Sequence, residues 1–119
     1  MAVAPPFALA WRSWRARVAV EGHSMAPTVE AGDWLLVDPG AYEAYSPRAG
    51  KLVVAADPRE PERLLVKRVA RVEPDGTLIL VGDHPAHGEE RDLPPVPRTA
   101  LRGRPWLRYW PPRRFGRLS

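Results

Sequence analysis

Apolar and polar positions alternate along this chain in short bursts, with few windows that keep a helical repeat. Ala16-Arg17-Val18-Ala19-Val20 alternates and predicts a strand, which Gly22 breaks. Residues 22–28 read as a turn or loop, because Pro27 fixes its own φ and pushes Ala26 out of helical geometry. Gly32-Asp33 introduces a second strand, Trp34-Leu35-Leu36-Val37. Residues 39–50 form a loop carrying Tyr42 and Tyr45, and a third strand runs from Leu52 to Ala55. A polar, proline-containing turn over 57–62 leads into the longest β-type segment, Leu64 to Val72. Pro74-Asp75-Gly76 is a turn signal, since proline presets φ and glycine accepts positive φ. Thr77 to Val81 returns as the second arm of that hairpin. Residues 82–97 are rich in turn formers, and Leu101 to Trp110 reads as a last strand broken at Pro105. The pattern predicts a mainly β domain with little helix.

Composition narrows the picture. The 119 residues suit one domain, drawn here as an N-terminal arm over 1–15 and a domain over 16–119. Fifteen prolines and nine glycines favour short strands joined by fixed turns over long helices. The absence of cysteine excludes disulfides, zinc–thiolate sites and thiol nucleophiles. All but two of the 18 basic residues are arginines, the lysines being Lys51 and Lys67, and the net charge is +4. Such a surface is compatible with nucleic acid, anionic lipid or an acidic substrate, but is more simply the product of codon usage or a thermophile-like surface. No stretch approaches the roughly 18 apolar residues of a membrane span, and the first 20 residues lack the order of a secretory signal. A cytoplasmic protein is expected, the alternative being contact with a membrane surface through Phe7, Leu9, Trp11 and Trp14.

Two residues carry candidate chemistry. Strand alternation places Leu65, Lys67 and Val69 on one face and Arg68 on the other. A lysine among core residues loses its proton more readily, which makes it a base. The same pattern fits a lysine that snorkels at the strand edge, or one that exchanges faces with Arg68. Ser24 lies two residues after Gly22 in a stiff turn. That setting can aim a serine's own N–H at a bound carbonyl, and it is also the commonest setting for a serine of no function. His84 and His87, with His23 as a third, are a weak metal signal, and neither metal nor cofactor is expected. The run from Trp106 to Arg114 mixes aromatics with arginines. Its tryptophans are expected to pack on the domain and its last arginines to be solvated, with no nucleic-acid partner.

Order and spacing add to this. Gly22-His23-Ser24-Met25-Ala26-Pro27-Thr28, then Gly32-Asp33 and Leu36-Val37, resembles the first conserved box of the type I signal peptidase family. Val66-Lys67-Arg68-Val69 resembles the second, Gly82-Asp83 opens the third, and Pro95-Val96-Pro97 with Leu101 and Gly103 resembles the closing segment. The resemblance implies a curved β-sheet or barrel domain and a Ser/Lys endopeptidase needing no cofactor and acting on a precursor protein or peptide. It implies Ser24 as nucleophile and oxyanion donor, Lys67 as general base, Met25 lining the site, and Asp83 and Arg91 as structural members of the third box. Gly22 stands where many relatives place a second oxyanion donor. The family's third-box serine, which orients the lysine, has no counterpart in Gly82-Asp83-His84 and His87-Gly88-Glu89-Glu90-Arg91, where His87 lies near its place. Gly82-Asp83-His84-Pro85 is most similar to the small nickel-type superoxide dismutase maturation peptidases, which implies removal of a propeptide. Two rivals are a peptide-binding or regulatory module without turnover and a self-cleaving sensor domain similar to that of LexA.

Overall fold

The computed structural model describes residues 17–119, so the arm expected over 1–15 lies outside the described residues. Its strands are β1 (Arg17–Ala19), β2 (Trp34–Asp38), β3 (Leu52–Asp57), β4 (Glu60–Val72), β5 (Leu78–Val81), β6 (Leu101–Trp110) and β7 (Gly116–Arg117). Among the described residues the helical segments are short 3-10 turns, as the mainly β expectation requires. The strands pair antiparallel in the order β1-β2-β6-β3-β4-β5, and β7 adds to β6.

β6 joins the two halves of the sheet. It pairs with β2 along most of its length and with β3 at Leu101 and Gly103. The strands cross so closely there that a Cβ on Gly103 would lie 2.4 Å from the Asp38 carbonyl oxygen, so only glycine fits. Between Gly103 and Leu107, where β7 takes over, the β3 side of β6 is unpaired, so Pro105, which has no N–H to give, continues the strand rather than breaking it. β4 begins at Glu60, earlier than its sequence pattern suggested. Ala56 pairs with Leu64 and Asp57 with Glu60, so Pro61, Glu62 and Arg63 bulge from the ladder, which tolerates the proline.

The apolar residues segregate into two clusters. Val53, Ala55, Leu65, Val69, Leu78, Leu80, Leu93 and Val96 form one, between the β3–β4–β5 strands and the 82–97 loop. Val20, Met25, Val29, Leu35 and Leu52 form the other, under the loop that carries Ser24. Each fully buried leucine contributes about 1.5–3 kcal/mol, so the strands and the Ser24 loop are fixed by separate sets of contacts. Asp33 is 2% exposed. It accepts hydrogen bonds from Arg114 at 3.2 and 3.3 Å and from Arg108 at 3.4 Å, and Arg108 also donates to the Thr28 carbonyl at 2.8 Å. Arg114 is therefore a buttress of the Ser24 loop rather than the solvated arginine expected from the sequence. A buried carboxylate requires such partners. Trp106 is half-buried, whereas Trp110 is 52% exposed.

Candidate functional site

Ser24 and Lys67 line one pocket of about 290 Å³, between the segment from Val18 to Met25 and β4. On the β4 side the lining includes five successive residues, Arg63-Leu64-Leu65-Val66-Lys67. Successive strand side chains point to opposite faces, so an unbroken run of lining residues means that the strand presents its backbone edge to the cavity. That edge is open: β5 covers only Arg68 to Val72, and among the described residues no strand pairs with the preceding part of β4 on that side. β1, the strand at the other end of the sheet order, forms the opposite wall. The pocket is thus a gap between two strand edges, the width of an added strand being about 4.8 Å per pairing.

The two candidate side chains are placed by different means. β4 alternates as its pattern predicts: Leu65 and Val69 are buried in the β3–β5 cluster with Lys67 between them in phase, while Arg68 points to the other face. Among the described residues the Lys67 amine makes no hydrogen bond or ion pair. Burial lowers its pKa below the ordinary lysine value, and the nearby Arg59 lowers it further, against the opposing pull of Asp92 and Asp57. Ser24 is half-buried on a turn entered through Gly22, whose φ of +75° is open to glycine at no steric cost. Its carbonyl accepts the His84 N–H at 2.9 Å. Among the described residues its own N–H and hydroxyl have no hydrogen-bond partner. Met25 lines the pocket and is also 2% exposed in the cluster beneath it.

A carboxylate clamps these two elements together. Asp83 receives the Arg68 guanidinium bidentately, Nε and Nη2 each at 2.8 Å, and also accepts the Thr28 hydroxyl. These bonds hold its carboxyl below the usual aspartate range, the Arg68 contact contributing most. Arg68 follows Lys67 in β4 and Thr28 follows Ser24 in its loop, so Asp83 ties the serine segment to the lysine strand. Gly82 completes the join. A Cβ there would lie 2.3 Å from the Ser24 carbonyl oxygen, so the third-box chain passes directly against the serine.

Not every residue singled out in the sequence meets here. Arg91 is 84% exposed and faces Glu89 at 3.6 Å, and the cation on Asp83 is Arg68 instead. The resemblance implies Arg91 because the family's third box closes on an arginine. Strand alternation carried the better signal, since a neighbour of an inward Lys67 must point to the other side. Glu90 pairs with Arg71, away from the pocket. His87 lines the pocket, near where the family's orienting serine would stand, and its carbonyl accepts the Gly82 N–H at 2.8 Å. His84 lies 6.0 Å from His87, ring centre to ring centre, and its Nδ1 accepts the Ala86 N–H. Among the described residues no group of three or more His, Asp or Glu side chains is placed to hold a metal ion. Among them, too, no helix is long and apolar enough to cross a membrane.

Residues 1–81 match the family described as signal peptidase, peptidase S26. The mitochondrial inner membrane protease subunit 1 of Xenopus tropicalis is 32% identical, over 86% of this chain and 73% of that protein. The mitochondrial ATP-independent inner membrane protease subunit 1a of Arabidopsis thaliana is 30% identical, over 83% of this chain and 73% of that protein. The mitochondrial inner membrane protease subunit 2 of Danio rerio is 29% identical, over 84% and 67%. No solved structure matches significantly. With two thirds of its length matched, including both the Ser24 and the Lys67 segments, the chain belongs to the signal peptidase family, peptidase S26.

Proposed function

We propose that this chain is a serine endopeptidase that removes a leader or propeptide from a precursor protein, with Ser24 and Lys67 as its catalytic pair. The observation that carries this reading is the convergence of the two residues on one pocket walled by open strand edges. An extended peptide entering the gap gains main-chain hydrogen bonds along β4, the usual way a sheet edge captures a chain. Ser24 Oγ attacks the scissile carbonyl carbon while Lys67 Nζ takes its proton. The resulting oxyanion accepts the Ser24 N–H. The C–N bond then breaks, and the Lys67 ammonium returns the proton to the leaving amine. A water deprotonated by Lys67 hydrolyses the Ser24 ester and frees the enzyme. The lowered pKa of Lys67 suits this role, because only the neutral amine accepts a proton.

The relatives' names attach such proteases to the mitochondrial inner membrane, and the third-box resemblance attaches them to dismutase maturation. The nickel superoxide dismutase precursor is accordingly the first substrate to test, with the cytoplasm as the expected compartment and a membrane surface as the alternative. One observation favours a second reading, a peptide-binding module without turnover: the Lys67 amine has no orienting hydrogen bond among the described residues.

The test compares wild type, Ser24→Ala and Lys67→Met on a pool of propeptide and leader-type peptides, read by mass spectrometry. Cleavage by wild type alone is expected. Cleavage that survives both substitutions overturns the mechanism, and binding without cleavage by wild type supports the module.

A further inference from the structure

We propose that Arg63 forms a subsite for an acidic side chain of the bound peptide, three to five residues from the bond that faces Ser24. The inference rests on the peptide groove described under Proposed function and extends it to a preference for sequence. Arg63 lines the same pocket as Ser24 and Lys67. It ends the β4 bulge, directly before the run Leu64 to Lys67 whose edge the pocket meets. Four steps along the strand take it to Lys67, about 13 Å at the ordinary strand rise. A peptide extended along the same edge advances by the same rise, so the residue it offers Arg63 lies about four positions from the one at Lys67.

Of the two arginines that line the pocket, Arg63 is the one without an ion pair among the described residues. Arg59, the other arginine lining it, is committed to Asp57 through Nε at 3.0 Å and Nη2 at 3.1 Å. Arg63 is exposed and, among the described residues, makes no ion pair. The pocket's carboxylates are Glu21, on the segment leading to Ser24, and Asp92, on the turn over 90–92. Asp92 acts on Lys67, and Arg63 opposes it there, so both charges bear on the catalytic amine. An Asp or Glu side chain arriving on an extended peptide satisfies the guanidinium, which is built for planar bidentate recognition of a carboxylate. A lysine at the same place meets like charge.

The experiment uses the Ser24→Ala chain, which keeps the groove without turnover. A fluorescent leader-type peptide is prepared with Asp, Asn or Lys scanned through each position, and Kd is read by fluorescence anisotropy at low and high salt. At one position Asp is expected to bind about fivefold more tightly than Lys, the range of an exposed charge pair, and salt should weaken the preference. Arg63→Glu in the same background should reverse the preference at that position, and Arg63→Gln should flatten it. Lack of any position favouring Asp overturns the proposal, as does a preference that survives Arg63→Glu. Cleavage of the parent peptide by the chain with Ser24 intact reports on the peptidase reading separately. Acid preference without cleavage leaves the subsite standing, and cleavage without acid preference removes the subsite alone.

Discussion

The Thr28 hydroxyl donates to the Asp83 carboxylate across 55 residues of sequence, and that contact sets the distance between the Ser24 loop and β4. Arg68 grips the same carboxylate from the strand. Asp83→Asn leaves a guanidinium half-satisfied and should cost about 2 kcal/mol. Asp83 is an acid whose folded pKa is depressed. Its contribution is therefore fully present above the ordinary aspartate value, about pH 4, and is lost as pH falls through the lower folded value. Thermal melts should show Asp83→Asn well below wild type at pH 7, with the gap closing toward pH 2. A gap that stays constant with pH would refute the clamp.

Gly82→Ala is expected to be worse than its single methyl suggests. The added Cβ would lie 2.3 Å from the Ser24 carbonyl oxygen and 2.9 Å from the His87 Cβ. Backbone on one side and a turn on the other leave it nowhere to go, so the third-box chain must retreat from the serine. Loss of about 1–3 kcal/mol, with a fall in kcat larger than any change in KM, is the expected pattern.

Lys67 should give the reaction its pH dependence. Burial and Arg59 lower the amine's pKa, and Asp92 raises it. The rate should climb with pH through a value below that of an ordinary lysine, as the neutral base becomes populated. Asp92→Asn removes a charge that favours the ammonium, so the rising limb should move to lower pH. A limb that moves up, or stays, would show that Asp92 does not act on the base.

Arg114→Ala should destabilise from the far end of the chain. Arg114 reaches both the buried Asp33 and Glu30, on the loop after Ser24. Removing it leaves Asp33 to Arg108 and to the Glu30 N–H at 2.9 Å. A loss of about 1–2 kcal/mol, read by chemical denaturation, is expected.

Strand periodicity made most of the fold legible. The bursts at Trp34, Leu52, Leu64 and Thr77 each correspond to a strand: β2 buries one face and alternates, whereas β3 and β5 are buried on both faces and read as continuous apolar runs. Prolines were harder to read. Pro61 and Pro105 both looked like breaks, yet each sits where the ladder asks nothing of its N–H, a condition visible only when the neighbouring strand is known. β7 was not legible, since Gly116-Arg117 carries no pattern in two residues. The serine and lysine segments stood out by order and spacing. Their supports did not: Asp33 meets Arg114 across 81 residues, and no local pattern encodes such a pairing.

The bare edge of β4 also exposes the protein to its own kind. A row of unpaired N–H and C=O groups accepts any extended chain, including the same edge of another molecule, and such zippering is how sheets begin to aggregate. Glu60, Pro61, Glu62 and Arg63 occupy the entrance to that edge, three charges and a residue that cannot donate. Evolution and protein engineers face the same constraint here: a groove made greedier for peptide by smoothing away these residues would become correspondingly harder to keep in solution.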